Sequence, residues 1–136
     1  MDSGDTAWVL ASAALVLLMT PGLALFYGGM VRAKSVLNMM MMSFVTIGLV
    51  SVLWVLFGYS IAFGGGNAFF GDFSMVGLGE ALNDATTFNG AEYKIPTLVF
   101  AMFQLMFAVI TPALISGAIA DRAKFLGWSV FVTVWV

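Results

Sequence analysis

Cysteine and histidine are both absent from the 136 residues. Their absence removes disulfides, thiolate chemistry, imidazole metal ligands and histidine general bases from this stretch of chain. Charge is nearly as scarce, since the five basic and seven acidic residues make up only 9% of the sequence, against about 25% in an ordinary soluble domain. The long apolar segments contain no acid, base or thiol, which argues against a membrane enzyme. What fills the chain instead is hydrophobic: 62% of residues are apolar and the mean hydropathy is +1.05. This is the composition of an integral membrane protein.

The few charges collect in four places: Asp2 and Asp5, Arg32 and Lys34, Asp72 through Lys94, and Asp121, Arg122 and Lys124. Between them lie uncharged runs long enough for the ~20 residues needed to cross ~30 Å of hydrocarbon. The predicted spans are 6–31, 35–63 and 95–120, with a fourth over 125–136 that is too short to cross and reads as truncated. One membrane domain over 1–136, with a loop at 64–94, is therefore expected, as the N-terminal part of a longer protein. The start does not read as a signal peptide, because Asp2 and Asp5 replace a basic leader and the first apolar run is too long. Arg32, Lys34, Arg122 and Lys124 mark two short cytoplasmic loops by the positive-inside rule. The N-terminus and the long loop are thus expected outside the cell.

Several local motifs bear on packing. "TPGLALFYGG" (Thr20–Gly29) puts Pro21 inside the first span, where neighbouring protein must satisfy the freed carbonyl. Ala24 with Gly28, and Ala113 with Gly117, are small-xxx-small pairs that let helix backbones approach closely. The run "NMMMM" (Asn38–Met42) spreads its methionines around a helix, which favours packing over metal binding. Gly64–Gly66 lacks the Lys-Ser/Thr of a phosphate loop and reads as a turn. A short helix near Val76–Leu82 is expected in the loop, whose acids suit either solubility or cation attraction at a pore mouth. Trp8, Trp54, Tyr59 and Trp128 fall where an interfacial aromatic belt is expected.

"FAMFQLMF" (Phe100–Phe107) carries the most chemistry. At helical spacing Phe103, Phe107, Ile110 and Leu114 share a side, with Phe100 one turn earlier. Gln104 points about 100° away and must find a partner inside protein; we expect it to face a neighbouring helix, which need not lie in this stretch of chain, and to brace the rings. Spacing alone leaves two readings open, an ordinary packed stripe or a cation–π site.

Three blocks resemble one family: "LMTPGLALFYGGMVRAKSVLNMM" (Leu18–Met40), "GYSIAFGGGNAFFGD" (Gly58–Asp72) and "FQLMFAVITPALISGAIADRAKF" (Phe103–Phe125). In that order they are similar to the ammonium transporters of the Amt/Mep/Rh group. The resemblance implies an all-α, polytopic membrane helix bundle of eleven helices built as inverted repeats, of which this chain supplies three helices and part of a fourth. It implies a homotrimer in the cell membrane with its N-terminus outside, taking ammonium or ammonia as substrate. A cytoplasmic PII-type regulatory protein is an implied partner; no cofactor, metal or nucleic acid is implied. Phe103 matches the outer recruitment site and Phe107 a ring that closes the pore beneath it, while Leu23 and Leu114 match pore-lining positions. The family mechanism deprotonates ammonium at the outer site and passes ammonia and the proton separately through an apolar pore with a histidine pair. That pair, the outer-site Trp and Ser, the second gating ring and the motif's Asp are not in these residues, and Pro112 departs from the pattern expected in bacterial members. An ammonium sensor on the same scaffold is the alternative.

Overall fold

The computed structural model describes residues 2–78, 85–88 and 91–136. Helix α1 spans Ser3–Met30 and starts where Asp2 can cap it. The Asp2 carboxylate accepts from the N–H groups of Gly4 at 2.8 Å and Asp5 at 3.1 Å, satisfying donors that a helix N-terminus leaves orphaned. The Asp2 N–H donates to the Lys94 carbonyl at 2.7 Å, tying the start of the chain to the far end of the long loop.

Helix α2, Val36–Leu53, continues through a π-helical turn at Trp54–Gly58 into α3, Tyr59–Phe63. There the Tyr59 N–H reaches back five residues to the Trp54 carbonyl, which turns the C-terminal end of the helix relative to its N-terminal end. The loop that follows carries a two-stranded antiparallel pair, β1 (Ala85–Phe88) with β2 (Ala91–Pro96), an addition to an otherwise helical chain. Helix α4 is Thr97–Ile115, tightening to a 3-10 turn over Ser116–Ile119, and α5 is Phe125–Trp135. Three helices among the described residues are long and apolar enough to cross a membrane: Ser3–Met30, Val36–Phe63 and Thr97–Ile119.

In a bilayer the surrounding lipid is as apolar as the side chains, so helices associate by close fit. The small-residue pairs provide that fit. Ala24, Gly28 and Ala113 are fully buried, and a Cβ on Gly28 would come within 3.1 Å of the Met40 side chain. A Cβ on Gly117 would lie 2.7 Å from the Tyr27 ring, so α1 can rest its tyrosine there only because the position is glycine. Gly117→Ala is therefore expected to cost about 1–2 kcal/mol by overpacking; a detergent unfolding titration with unchanged midpoint would refute this.

The methionines divide as packing requires, with Met39 and Met42 buried and Met41 exposed. Pro112 is buried and sits inside α4 without ending it.

The aromatic belt requires correction. Trp8 is 74% exposed, but Trp54, Tyr59 and Trp128 are buried. The indole N–H of Trp54 donates to the Ala101 carbonyl at 3.2 Å and that of Trp128 to the Met42 carbonyl at 2.8 Å. Each tryptophan thereby joins two helices: its ring fills the gap between them, and its one polar atom is satisfied by backbone rather than by water.

The glycine run is a turn that folds back on the helix it leaves. The Gly71 N–H donates to the Ile61 carbonyl at 2.6 Å, and the Ser60 hydroxyl donates to the Asp72 carbonyl at 2.7 Å. Gly66 lies directly against the backbone of Phe70 and Gly71, where no Cβ fits. Of the helix expected near Val76–Leu82, a single 3-10 turn over 76–78 is seen, and the rest lies outside the described residues. The same is true of Glu80 and Asp84 among the loop acids.

Candidate transport groove

An open groove of about 490 Å³ lies between α1 and α4. Helix α1 lines it with Met19, Gly22, Leu23 and Phe26, and α4 with Phe107, Ile110, Thr111 and Leu114. Each set follows the i, i+3, i+4, i+7 spacing of one helix face. Two such faces set against each other make a trough whose floor is apolar along its length. Gly22 keeps it open, because nothing stands within 4 Å of where its Cβ would be. The one hydroxyl on the α4 side, Thr111, is turned back to the Phe107 carbonyl at 2.7 Å.

Phe107 is 42% exposed and Leu114 50%, so both side chains border the open space of the groove. Phe103 does not line this trough. It stands one turn above, half-buried, with its ring 5.2 Å from that of Phe107 and nearly perpendicular at 78°. This edge-to-face contact orients both rings and is worth ~0.5–1.5 kcal/mol. At the other end the Tyr27 hydroxyl donates to the Leu114 carbonyl at 2.9 Å, pinning α1 to α4 where the groove closes.

The structure thus brings Leu23, Phe107 and Leu114 into one groove with Phe103 set edge-to-face against Phe107 at its end. It separates Phe100 from them, correcting the expected single stripe. The Phe100 ring meets Phe63 at 5.2 Å and packs with Trp54, Tyr59 and Ala101. At 100° per residue Phe100 lies about 50° from the centre of the stripe and one turn nearer the start of α4, where Phe63 of α3 stands beside it. Gln104 is half-buried, and its carboxamide makes no hydrogen bond among the described residues, so no bracing of the rings by Gln104 is seen. Met19, Gly22, Phe26 and Thr111 were missed from sequence. Their helical spacing was present, but in a helix apolar on all sides it does not stand out. Among the described residues no group of three or more His, Cys, Asp or Glu could hold a metal ion.

Membrane-spanning helices packed through glycine and alanine around an apolar trough with aromatic rings at one end define a multi-pass membrane protein. The particular family follows from comparison: the chain belongs to the ammonium transporter family, whose profile matches residues 7–136. It is 54% identical over 147 residues to the ammonium transporter of Mycobacterium tuberculosis H37Rv, covering 98% of this chain and 31% of that one. It is 47% identical over 137 residues to the ammonium transporter of Bacillus subtilis, covering 99% and 33%. The crystal structure of Candida albicans Mep2 superposes with a TM-score of 0.84 at 29% identity, over 99% of this chain and 29% of that one. The chain thus spans about a third of the length of the curated relatives it matches, which are named as transporters and not as enzymes.

Proposed function

We propose that the full-length protein carries ammonium or ammonia across the membrane through a narrow apolar channel, with the groove between α1 and α4 as one part of its wall. The observation that carries this reading is the convergence of Leu23, Phe107 and Leu114 on one trough, with Phe103 at its end. Phe103 recruits the cation by offering its π-face. Phe107 gates entry below it, and Leu23 and Leu114 line the passage. An apolar wall cannot repay the dehydration of a permanent ion. Ammonium escapes that cost by giving up its proton, whereas potassium cannot, so such a channel selects by acid–base chemistry as well as by size.

The short loops with Arg32, Lys34, Arg122 and Lys124 support an outward N-terminus, and hence nitrogen uptake from outside. A homotrimer and a cytoplasmic PII-type regulator complete the reading by family membership. Recruitment at Phe103 is tested by Phe103→Ala in the full-length protein reconstituted in liposomes. A cation–π contact at a partly exposed ring is worth ~0.5–1 kcal/mol, so half-saturation for methylammonium should rise about two- to fivefold with little change in maximal rate. A fall in maximal rate at constant half-saturation would remove Phe103 from recruitment.

A further inference from the structure

The loop after α3 presents three phenylalanines that the transport reading does not use: Phe69 is 93% exposed, Phe70 58% and Phe73 67%. They are held outward by a rigid fold. The Asn67 side chain accepts from the N–H groups of Phe69 at 2.9 Å and Phe70 at 3.2 Å, and the Asn67 N–H donates to the Phe70 carbonyl at 3.0 Å. The loop's backbone is satisfied from within, so exposing the rings is not a by-product of disorder.

Depth identifies what they face. The helix Val36–Phe63 has 28 residues, or ~42 Å, and exceeds the ~30 Å hydrocarbon by about 6 Å at each end. The loop folds back from that end along the helix. The bonds from Gly71 to Ile61 and between Ser60 and the segment Asp72–Met75 draw it back. Ile61 and Ser60 lie two and three residues below the helix end, ~3–5 Å down, which is the level where headgroups meet acyl chains. Trp8, exposed and five residues into α1, lies ~8 Å below the start of its own helix, a few Å deeper. Val52 and Leu56, eight and four residues before Ser60 on the same helix, are exposed apolar side chains.

We propose that this loop is seated in the lipid interface on its side of the membrane, with Phe69, Phe70 and Phe73 resting on the upper acyl chains as an anchor for the outer end of the α2–α3 helix. Asp72 limits the depth. Its carboxylate accepts from the Ser74 hydroxyl at 2.5 Å and N–H at 3.1 Å; these bonds hold its carboxyl below the ordinary carboxylate range. An ionised group there stays at headgroup level and stops the rings from sinking further.

The test uses the lack of cysteine in this stretch. Ala68→Cys is introduced into the full-length protein, with any cysteines elsewhere changed to serine, and is labelled with an environment-sensitive fluorophore in phosphatidylcholine liposomes. The anchor requires blue-shifted emission, and at least twofold stronger quenching by nitroxides at the headgroup or upper acyl chain than by aqueous iodide. Adding Phe69→Ser, Phe70→Ser and Phe73→Ser should reverse that order while methylammonium uptake shows the protein still folded. Quenching by iodide alone would place the loop in water and overturn the proposal. So would protection from both quenchers, which would mean that protein, including a second copy, covers the rings.

Discussion

Phe107→Ala in the full-length protein is expected to raise methylammonium flux about tenfold and to weaken the exclusion of potassium. The ring projects into the groove, 42% exposed, and its one ring partner among the described residues is Phe103 at 5.2 Å. On the proposed gating role, truncation removes both the obstruction and the ~0.5–1.5 kcal/mol contact that holds it in place, and each 1.4 kcal/mol off a barrier is tenfold in rate. Water admitted to the passage would also lower the dehydration cost that keeps potassium out. Phe100→Ala is the control, because Phe100 belongs to the cluster with Phe63, Trp54 and Tyr59; it should lower stability while leaving flux per folded molecule unchanged. Liposome uptake with a potassium competition arm decides the matter. Equal and negligible effects of the two substitutions would reject the gate.

Trp128→Ala should produce the largest loss of stability. Trp128 is 1% exposed and packs with Met42, Val50, Val109 and Val132, so its indole is the wedge between α2, α4 and α5. Its N–H bond to the Met42 carbonyl is the polar part of that junction. In a soluble core Trp→Ala costs ~3–5 kcal/mol. Here the removed ring is replaced by lipid in the unfolded reference state, so the cavity and the lost bond dominate, and roughly 3 kcal/mol is expected. Trp128→Phe, which keeps most of the volume and loses the bond, should cost ~1 kcal/mol. Steric-trap or denaturant unfolding in bicelles measures both. A Trp128→Ala protein as stable as the parent would show that α5 is held elsewhere.

The two substitutions differ in how far sequence could anticipate them. Phe103 and Phe107 stand four apart on a helical face, and their pairing was visible in that spacing. Trp128 was expected at an interface because it lies just beyond Arg122 and Lys124. It is buried because the gap between α2 and α5 is large enough for an indole and has a carbonyl at its end. Neither feature is written within either helix alone. Phe100 shows the same limit in reverse: local spacing joined it to the stripe, and Phe63, 37 residues earlier, drew it away.

The sequence by itself determined that this chain lives in a membrane, which segments can cross, which glycines and alanines permit close packing, and to which family the three motif blocks belong. These follow from short-range rules: charge scarcity, run length and the 3.6-residue repeat. Only the tertiary structure decided which apolar faces meet. In helices hydrophobic all round there is no polar side to mark an inside, so the groove between α1 and α4, the burial of Trp54 and Trp128, and the return of the glycine loop to Ile61 depend on the fit of one helix against another.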